Sequence, residues 1–178
     1  MAYYELTVDG ENKIHPDDSD CMAQALFIEV DANNRVLVRV YDVTDSCFIK
    51  TYLIDNKNQP NKYSHIARAA DAAKNPPAFP ADASLSVKKT GSGYCFTAPQ
   101  ATAYGEDEVF VYRLTVTDAE GKALVCDTML SDYYRAFSAD TVSFKTDKPN
   151  ASGRCCATVV AEDVWGVQSK PITVYFDV

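Results

Sequence analysis

Residues 109–117 read VFVYRLTVT, and this stretch decides the fold class. A β-strand points successive side chains to opposite faces, so a period of two marks a strand with one buried face. The alternation predicts two faces, the first with Phe110, Tyr112, Leu114 and Val116, the second with Val111, Arg113, Thr115 and Thr117.

Six further short strand patterns surround this one. Gly91-Ser92-Gly93 and the run from Asp118 to Gly121 supply turn residues between neighbouring strands. Seven alternating strands in about 100 residues are typical of an immunoglobulin-like β-sandwich. The other predicted strands are 85–89, 94–98, 122–129, 141–145, 154–161 and 171–178.

The N-terminal part of the chain predicts a smaller β region. The apolar run Ala25–Val30 is followed by Asp31-Ala32-Asn33-Asn34, which tolerates positive φ, and then by the alternating run 35–43. These two runs predict a β-hairpin, and residues 48–54 predict a further strand.

Between the two β regions the pattern changes. Ser64 is a good N-cap for an alanine-rich helix that reaches Ala73. Residues 75–80, Asn-Pro-Pro-Ala-Phe-Pro, cannot continue that helix, because proline lacks the amide donor. We therefore expect an all-β protein with a β-hairpin region at 1–74, a semi-rigid Pro-rich linker at 75–80 and a sandwich at 81–178.

Composition limits the function classes. The chain has 178 residues and a formal net charge of -8, so its surface repels phosphate backbones and anionic membranes. We expect no nucleic-acid binding. No apolar run is long enough to span a bilayer, so we expect no membrane insertion, and the first residues lack the pattern of a signal peptide.

The six cysteines do not indicate a metal site. None forms a Cys-x-x-Cys pair, and His15 and His65 lie far from them in sequence. We first expect the cysteines to be buried free thiols, and the sequence leaves open whether one or two disulfides form instead. Cys155-Cys156 has no local histidine to act as a base, so a thiol enzyme is disfavoured.

Two acidic runs carry carboxylates of the kind that bind cations. Asp17, Asp18 and Asp20 beside His15 offer hard oxygen ligands, but the spacing does not complete an EF-hand loop. The run 106–108, Glu-Asp-Glu, lies just before the central strand. Solvated acidic loops are the expectation for both, with no metal ligands.

An aromatic cluster is the candidate contact site. Tyr133, Tyr134 and Arg135, with Phe137 nearby, lie in a predicted loop, where exposed rings stack on sugars or on a partner protein. The alternative is that these side chains close one end of the sandwich or pack on a neighbouring domain. Trp165 beside Gly166 is expected to be a packing residue.

The last strands resemble a fibronectin type III domain. The carrying residues are Cys155-x-Ala157-x-Val159-x-Ala161, then Asp163-x-Trp165-Gly166 and Ser169-Lys170-Pro171. That family usually has a tyrosine where this chain has Cys155, and often a tryptophan on its second strand, which this chain lacks. The resemblance implies the same sandwich with an altered core.

The order of elements resembles the C-terminal part of bacterial calcineurin-like metallophosphoesterases. Those proteins often follow the catalytic core with an Ala-Leu-x-x-Glu-Val-Asp strand and an Arg-Val-x-Val-Arg strand, a Pro-rich joint and a fibronectin-like domain. Here the matching segments are Ala25–Asp31, Arg35–Arg39, Asn75–Pro80, Tyr112–Val116 and Ser131–Arg135.

The resemblance implies a hydrolase parent whose active site holds two divalent metals through Asp-x-His, Gly-Asp-x-x-Asp, Gly-Asn-His and Gly-His-x-His motifs. This chain has no Gly-Asp, Gly-His or Asn-His dipeptide. No catalytic, cofactor-binding or metal-binding residue is therefore predicted, and the chain reads as a fragment cut upstream of the hairpin. Whether Met1 is the native start stays open.

The leading functional hypothesis is a non-catalytic accessory region whose partner is the parent's catalytic domain in the same polypeptide. It predicts an unpaired sheet edge or an apolar face before the Pro-rich segment. The alternative is a carbohydrate-binding or adhesive β-sandwich that contacts sugar or protein through the aromatic cluster. The compartment stays open; a bacterial surface or secreted location follows only if the parent carries a signal peptide.

Overall fold

A computed structural model describes residues 6–8, 12–14 and 23–178, with side chains described from residue 23 onward. The chain forms two compact units. The first comprises residues up to Asp71 together with Tyr134–Ser138. The second comprises Ala72–Tyr133 and Ala139–Val178.

The first unit contains an antiparallel three-stranded sheet with strands in chain order. These are β3 (Gln24–Val30), β4 (Val36–Asp42) and β5 (Cys47–Ile54), after a separate pair, β1 (Leu6–Val8) and β2 (Asn12–Ile14). The predicted hairpin is confirmed by a register that runs from Gln24 opposite Asp42 to Val30 opposite Val36. Asp31 fixes the turn, since its carboxylate accepts the N–H groups of Asn33 and Arg35 and Asn34 adopts a φ of 59°.

The predicted helix is also present. Helix α1 (His65–Ala72) begins directly after Ser64, whose hydroxyl accepts the N–H of Ala67 at 3.4 Å. This contact is the N-cap that the sequence predicts. The helix ends at Ala72, before the prolines.

The second unit is a β-sandwich, which confirms the predicted fold class. One sheet has the order β10-β7-β6 and the other the order β12-β11-β8-β9. Pairing is antiparallel throughout both sheets. The strands are β6 (Ser86–Lys89), β7 (Gly93–Pro99), β8 (Val109–Thr117), β9 (Ala123–Leu130), β10 (Thr141–Asp147), β11 (Arg154–Asp163) and β12 (Ile172–Asp177).

The core lies between these two sheets. Tyr112, Leu114 and Val116 of β8 face it, as the alternation of residues 109–117 predicts. Aromatic rings fill one part of it: Phe96 and Phe176 lie 5.4 Å apart, and Tyr94 and Phe176 4.9 Å apart. Burial of such side chains supplies most of the favourable free energy of folding.

The predicted position of Phe110 is wrong. A register irregularity pairs Asp163 with Val109 and Glu162 with Val111, so Phe110 has no partner on β11. Val109 joins the core cluster, whereas Phe110 is half-buried outside it and packs edge-on to Tyr133 at 5.7 Å. A β-bulge interrupts strict alternation, which explains the difference.

The Pro-rich segment is part of the sandwich unit and not a free spacer. Ala78 exchanges two backbone hydrogen bonds with Thr102, both at 2.9 Å. Pro77 is fully buried, and the ring of Phe79 lies 6.2 Å from that of Tyr112. Proline fixes the backbone here, but tertiary contacts hold the segment in place.

Candidate interaction surface

The described part of the structure contains no cluster of side chains that could hold a metal. No group of three or more His, Cys, Asp or Glu side chains lies close enough to hold a metal among these residues. The acidic run at 17–20 with His15 lies outside the described residues. No described helix is long and apolar enough to cross a membrane.

One face of the three-stranded sheet in the first unit is apolar. The register places Leu26 beside Val40, Ile28 beside Val38 and Val30 beside Val36, all on one side. Strand β5 continues each row with Lys50, Tyr52 and Ile54, respectively. We call this side the apolar face; it comprises Leu26, Ile28, Val30, Val36, Val38, Val40, Lys50, Tyr52 and Ile54.

The apolar face is covered unevenly. Tyr63 packs edge-on to Tyr52 at 6.2 Å on the β5 side. On the β3 side Leu26, Ile28 and Val30 retain 56%, 60% and 65% of their exposure. Partial burial on this face lowers the pKa of Lys50, because desolvation disfavours its charged form.

Within the described residues, strand β3 pairs with β4 alone, so its other edge is open. The residues that flank the two strands bond to each other: the Val43 N–H donates to the Ala23 carbonyl at 2.9 Å, and the Asp31 N–H donates to the Arg35 carbonyl at 3.0 Å. Antiparallel ladders alternate, so the odd-numbered residues of β3 bond to β4 and the even-numbered residues point their N–H and C=O groups outward. Leu26, Ile28 and Val30 therefore present both apolar side chains and outward backbone groups along this edge.

The opposite side of the same sheet carries aromatic residues. Phe27, Tyr41 and Phe48 form a triad with ring centroids 5.1 to 5.9 Å apart. The guanidinium of Arg39 lies 4.9 Å above the Phe48 ring and bonds to Glu29 at 3.2 Å. Contacts of this kind stabilise a sheet face that is left near solvent.

The first unit lacks a closed core among its described residues. Every buried apolar residue of the described chain belongs to the second unit. A single three-stranded sheet needs packing on at least one face for independent stability. Among the described residues of this unit, the β3 side of the apolar face remains exposed.

The predicted contact cluster is divided between the units. Tyr133 belongs to the second unit and packs on Phe110, and its N–H contacts the Ser131 hydroxyl at 3.3 Å. Tyr134 and Arg135 belong to the first unit, where the guanidinium lies 5.6 Å above the ring. Thus Tyr134 and Arg135 form one stack, whereas Tyr133 closes an end of the sandwich.

The loop that carries Tyr134 and Phe137 is held at one point and exposed at another. The Tyr134 carbonyl accepts the side-chain amide of Gln24 at 2.7 Å. The Phe137 ring is 78% exposed. An exposed aromatic ring is the side chain that the sequence predicts for stacking on a sugar, and Phe137 is exposed whereas Tyr134 is half-buried.

The five described cysteines are free thiols. Cys47, Cys95 and Cys156 are half-buried, and Cys126 is exposed. Cys155 is buried in the sandwich core opposite Phe176, and burial raises the pKa of its thiol. A protonated, buried thiol is a packing group and not a nucleophile. Cys21 lies outside the described residues.

A shallow groove runs between edge strands β9 and β10 in the second unit. It has a volume of about 430 Å³ and is lined by residues that include Asp127, Lys145, Asp147 and Lys148. The two signs of charge are mixed along it, so it favours no particular ionic ligand.

The sequence predicts an unpaired sheet edge or an apolar face before the Pro-rich segment, but it does not place this feature on β3, although a signal is present. Residues 25–28 are apolar without interruption, a pattern typical of strands that are buried on both faces. In the structure both faces of β3 retain large exposed side chains, including Phe27 at 46%. The contrast between pattern and exposure is the clue to an interaction surface.

Comparison with known proteins gives little further information. No family model and no curated protein matches the chain. Among solved structures, the chain is similar to chitinase ChiW from Paenibacillus sp. str. FPU-7, which is described as a bacterial cell-surface-expressed multi-modular enzyme. The identity is 23%, the TM-score is 0.36, and the match covers 57% of this chain and 8% of the chitinase.

Proposed function

We propose that this chain is a non-catalytic accessory region that docks through its apolar face onto a neighbouring domain of the same polypeptide. The carrying observation is the exposure of Leu26, Ile28 and Val30 on a sheet without a closed core. Seven paired positions across three strands give the whole sheet face an area of about 330 Å², at about 3.3 Å per residue and 4.8 Å per strand. The exposed part of this face, formed by Leu26, Ile28 and Val30, is an apolar patch of the kind that often marks an interaction site.

The identity of the neighbour is proposed from the resemblance in element order. The neighbour is the catalytic domain of a calcineurin-like metallophosphoesterase, and the two divalent metals belong to that domain. The chain would support that domain or present its substrate. The sheet orders β10-β7-β6 and β12-β11-β8-β9 support a fibronectin type III-like subtype for the sandwich.

An activity assay tests the non-catalytic part of the proposal. The purified chain with added Mn²⁺ is expected to give no turnover of a phosphomonoester or a phosphodiester above buffer. Two metals need several convergent acidic and histidine ligands, and no such group exists among the described residues. Turnover that survives further purification and is abolished by a chelator contradicts the proposal.

Hydrogen exchange tests the docking part. At concentrations low enough for the chain alone to be monomeric, the amides of Leu26, Ile28 and Val30 should exchange more slowly in a longer polypeptide that includes the upstream domain than in the chain alone. The amides of β12 are the control, because the proposal leaves that strand unchanged. Equal exchange rates on β3 in the two polypeptides contradict docking at this surface.

A carbohydrate-binding module is the second candidate. It is favoured by the Arg135–Tyr134 stack and by the 78% exposure of Phe137. Binding to a glycan array that is lost in Tyr134→Ala and retained in Tyr175→Ala would support it. Tyr175 is a suitable control because it also lies beneath a guanidinium, that of Arg154 at 4.8 Å, and is 62% exposed.

A further inference from the structure

The edge strands of this protein differ in how they are protected from pairing with another chain. In the sandwich, β6 is short and carries Lys88 and Lys89, and β10 carries Lys145. The pairing of β8 with β9 contains a register shift, as does that of β4 with β5, which also carries Lys50. Lysines, short strands and bulges are the usual features that prevent edge-to-edge association.

Edge strand β12 also lacks lysine and a register shift, but its exposed residues, Thr173, Tyr175 and Asp177, are polar and one is charged. Strand β3 has neither the protecting features nor a polar edge. It has seven residues, no lysine, no proline and an uninterrupted register with β4. Its outward backbone groups belong to Leu26, Ile28 and Val30, which are also its most exposed residues on the apolar face. At the other end of the strand, Gln24 is held to the Tyr134 carbonyl, so the open edge begins at Leu26.

We propose that the open edge of β3 pairs antiparallel with the same edge of a second copy of this chain, about a two-fold axis at Ile28. This register places Leu26 opposite Val30 of the second copy and Ile28 opposite Ile28 of the second copy. All three outward-pointing residues then form hydrogen-bonded pairs. The two sheets become one six-stranded sheet with a continuous apolar face.

Charge supports a second copy as the occupant. Glu29 is the single charged residue of β3, and in this register it lies opposite Phe27 of the second copy. No charged residue meets its own copy, so the edge is self-complementary as a two-fold interface requires. The chain has a formal net charge of -8, and the outward positions Leu26, Ile28 and Val30 carry no charge, so two copies can approach there with little repulsion.

The contact is small. The five paired residues of β3 extend about 17 Å. A single strand edge of this length buries much less than the roughly 800 Å² per partner of a typical stable interface. The dimer is therefore weak, and its population should increase with protein concentration. This inference does not depend on the proposed accessory function, since it concerns the edge of β3 and uses the chain alone.

Sedimentation velocity of the whole chain over a wide dilution series tests the pairing. The wild-type chain should shift reversibly from monomer to dimer as concentration rises. Ile28→Lys and Ile28→Glu should each remain monomeric, because like charges meet at the axis. An equimolar mixture of these two variants should recover the dimer, since opposite charges now face each other.

Two controls distinguish edge pairing from other outcomes. Val38→Lys changes the same apolar face on the central strand, so it should leave edge pairing intact but disrupt packing of one face on another. Ile28→Thr keeps the N–H and the β-branched shape, so it should fold and still dimerise. A wild-type chain that stays monomeric throughout, or Lys and Glu variants whose mixture does not associate, overturns the proposal.

Discussion

Tyr112 shows how a single buried polar group is satisfied in the sandwich. Its hydroxyl donates to the Gln100 side-chain oxygen at 2.6 Å and accepts the N–H of Ala101 at 2.8 Å. Gln100 in turn donates to Asp132 at 3.4 Å, and Asp132 accepts the N–H of Ala139 at 2.8 Å. The hydroxyl thus ties three loop segments to the central strand.

Replacing this hydroxyl should destabilise the fold. Tyr112→Phe leaves the Ala101 N–H and the Gln100 oxygen without their partner, which costs about 1–2 kcal/mol. The denaturant midpoint should fall with an unchanged slope. Tyr175→Phe on the exposed surface of β12 is the control and should have little effect. A midpoint for Tyr112→Phe equal to that of the wild type would mean that the network contributes nothing.

The same residue predicts a pH dependence. Burial raises the pKa of Tyr112 to about 12 from an ordinary value of 10.0. The native state keeps a proton that the unfolded state releases, so this contribution is complete below pH 10.0 and is lost as pH rises towards about 12. Between these limits the wild-type chain should lose more stability than Tyr112→Phe, as measured by urea unfolding at matched pH.

At the scale of the element, the close pairing of β7 with β10 requires a glycine at the start of β7. Gly93 lies opposite Asp147 of β10, and a Cβ at this position would overlap the Thr146 carbonyl oxygen. Backbone atoms cannot move aside as a flexible side chain can. The close approach of two strands therefore explains this glycine, and no left-handed conformation is involved.

Gly93→Ala should separate β7 from β10 locally and cost about 1–3 kcal/mol, as other overpacked substitutions do. Gly91→Ala in the same turn is the matched control, since a Cβ there meets no atom within 4 Å. Unfolding in urea followed by Trp165 fluorescence reports on this unit. Equal midpoints for the two variants would contradict the steric explanation.

Sequence alone predicts the strands well but not their irregularities. The alternation in residues 109–117 predicts β8 and the core positions of Tyr112, Leu114 and Val116. It cannot predict the bulge that excludes Phe110, because a bulge depends on the pairing of β8 with β11. The partners of the Tyr112 hydroxyl are likewise distant in sequence from it and carry no local signal.

The candidate interaction surface could also be predicted from the sequence only in part. The run 25–28 indicates a strand, but the pairing of β3 with a single neighbour becomes evident only from the sheet order. Tyr133, Tyr134 and Arg135 are adjacent in sequence, yet the fold divides them between two units. The surroundings of these three side chains depend on the unit to which each residue belongs. Their spacing in the sequence does not show where the boundary between the units falls.

At the scale of the whole molecule, different interactions stabilise the two units. The sandwich buries a continuous apolar cluster between two sheets. The sheet of the first unit has no buried apolar residue among the described ones, and ring contacts and ion pairs hold its faces. Resistance to local opening should therefore be greater in the sandwich.

The strand orders of the two units also set the rate at which each one forms. Strands β3, β4 and β5 pair only with their sequence neighbours, whereas β10 must find β7 and β11 must find β8 across long intervening segments. Pairing of distant segments is slower than closing hairpins. The single tryptophan, Trp165, lies in the second unit and so observes only the slower process.

In a stopped-flow refolding experiment, circular dichroism in the far ultraviolet should therefore gain amplitude before tryptophan emission changes. Coincident time courses for the two signals would mean that the whole chain forms in one concerted step. With a single tryptophan already in the slow unit, the native sequence can separate the two processes without an engineered probe.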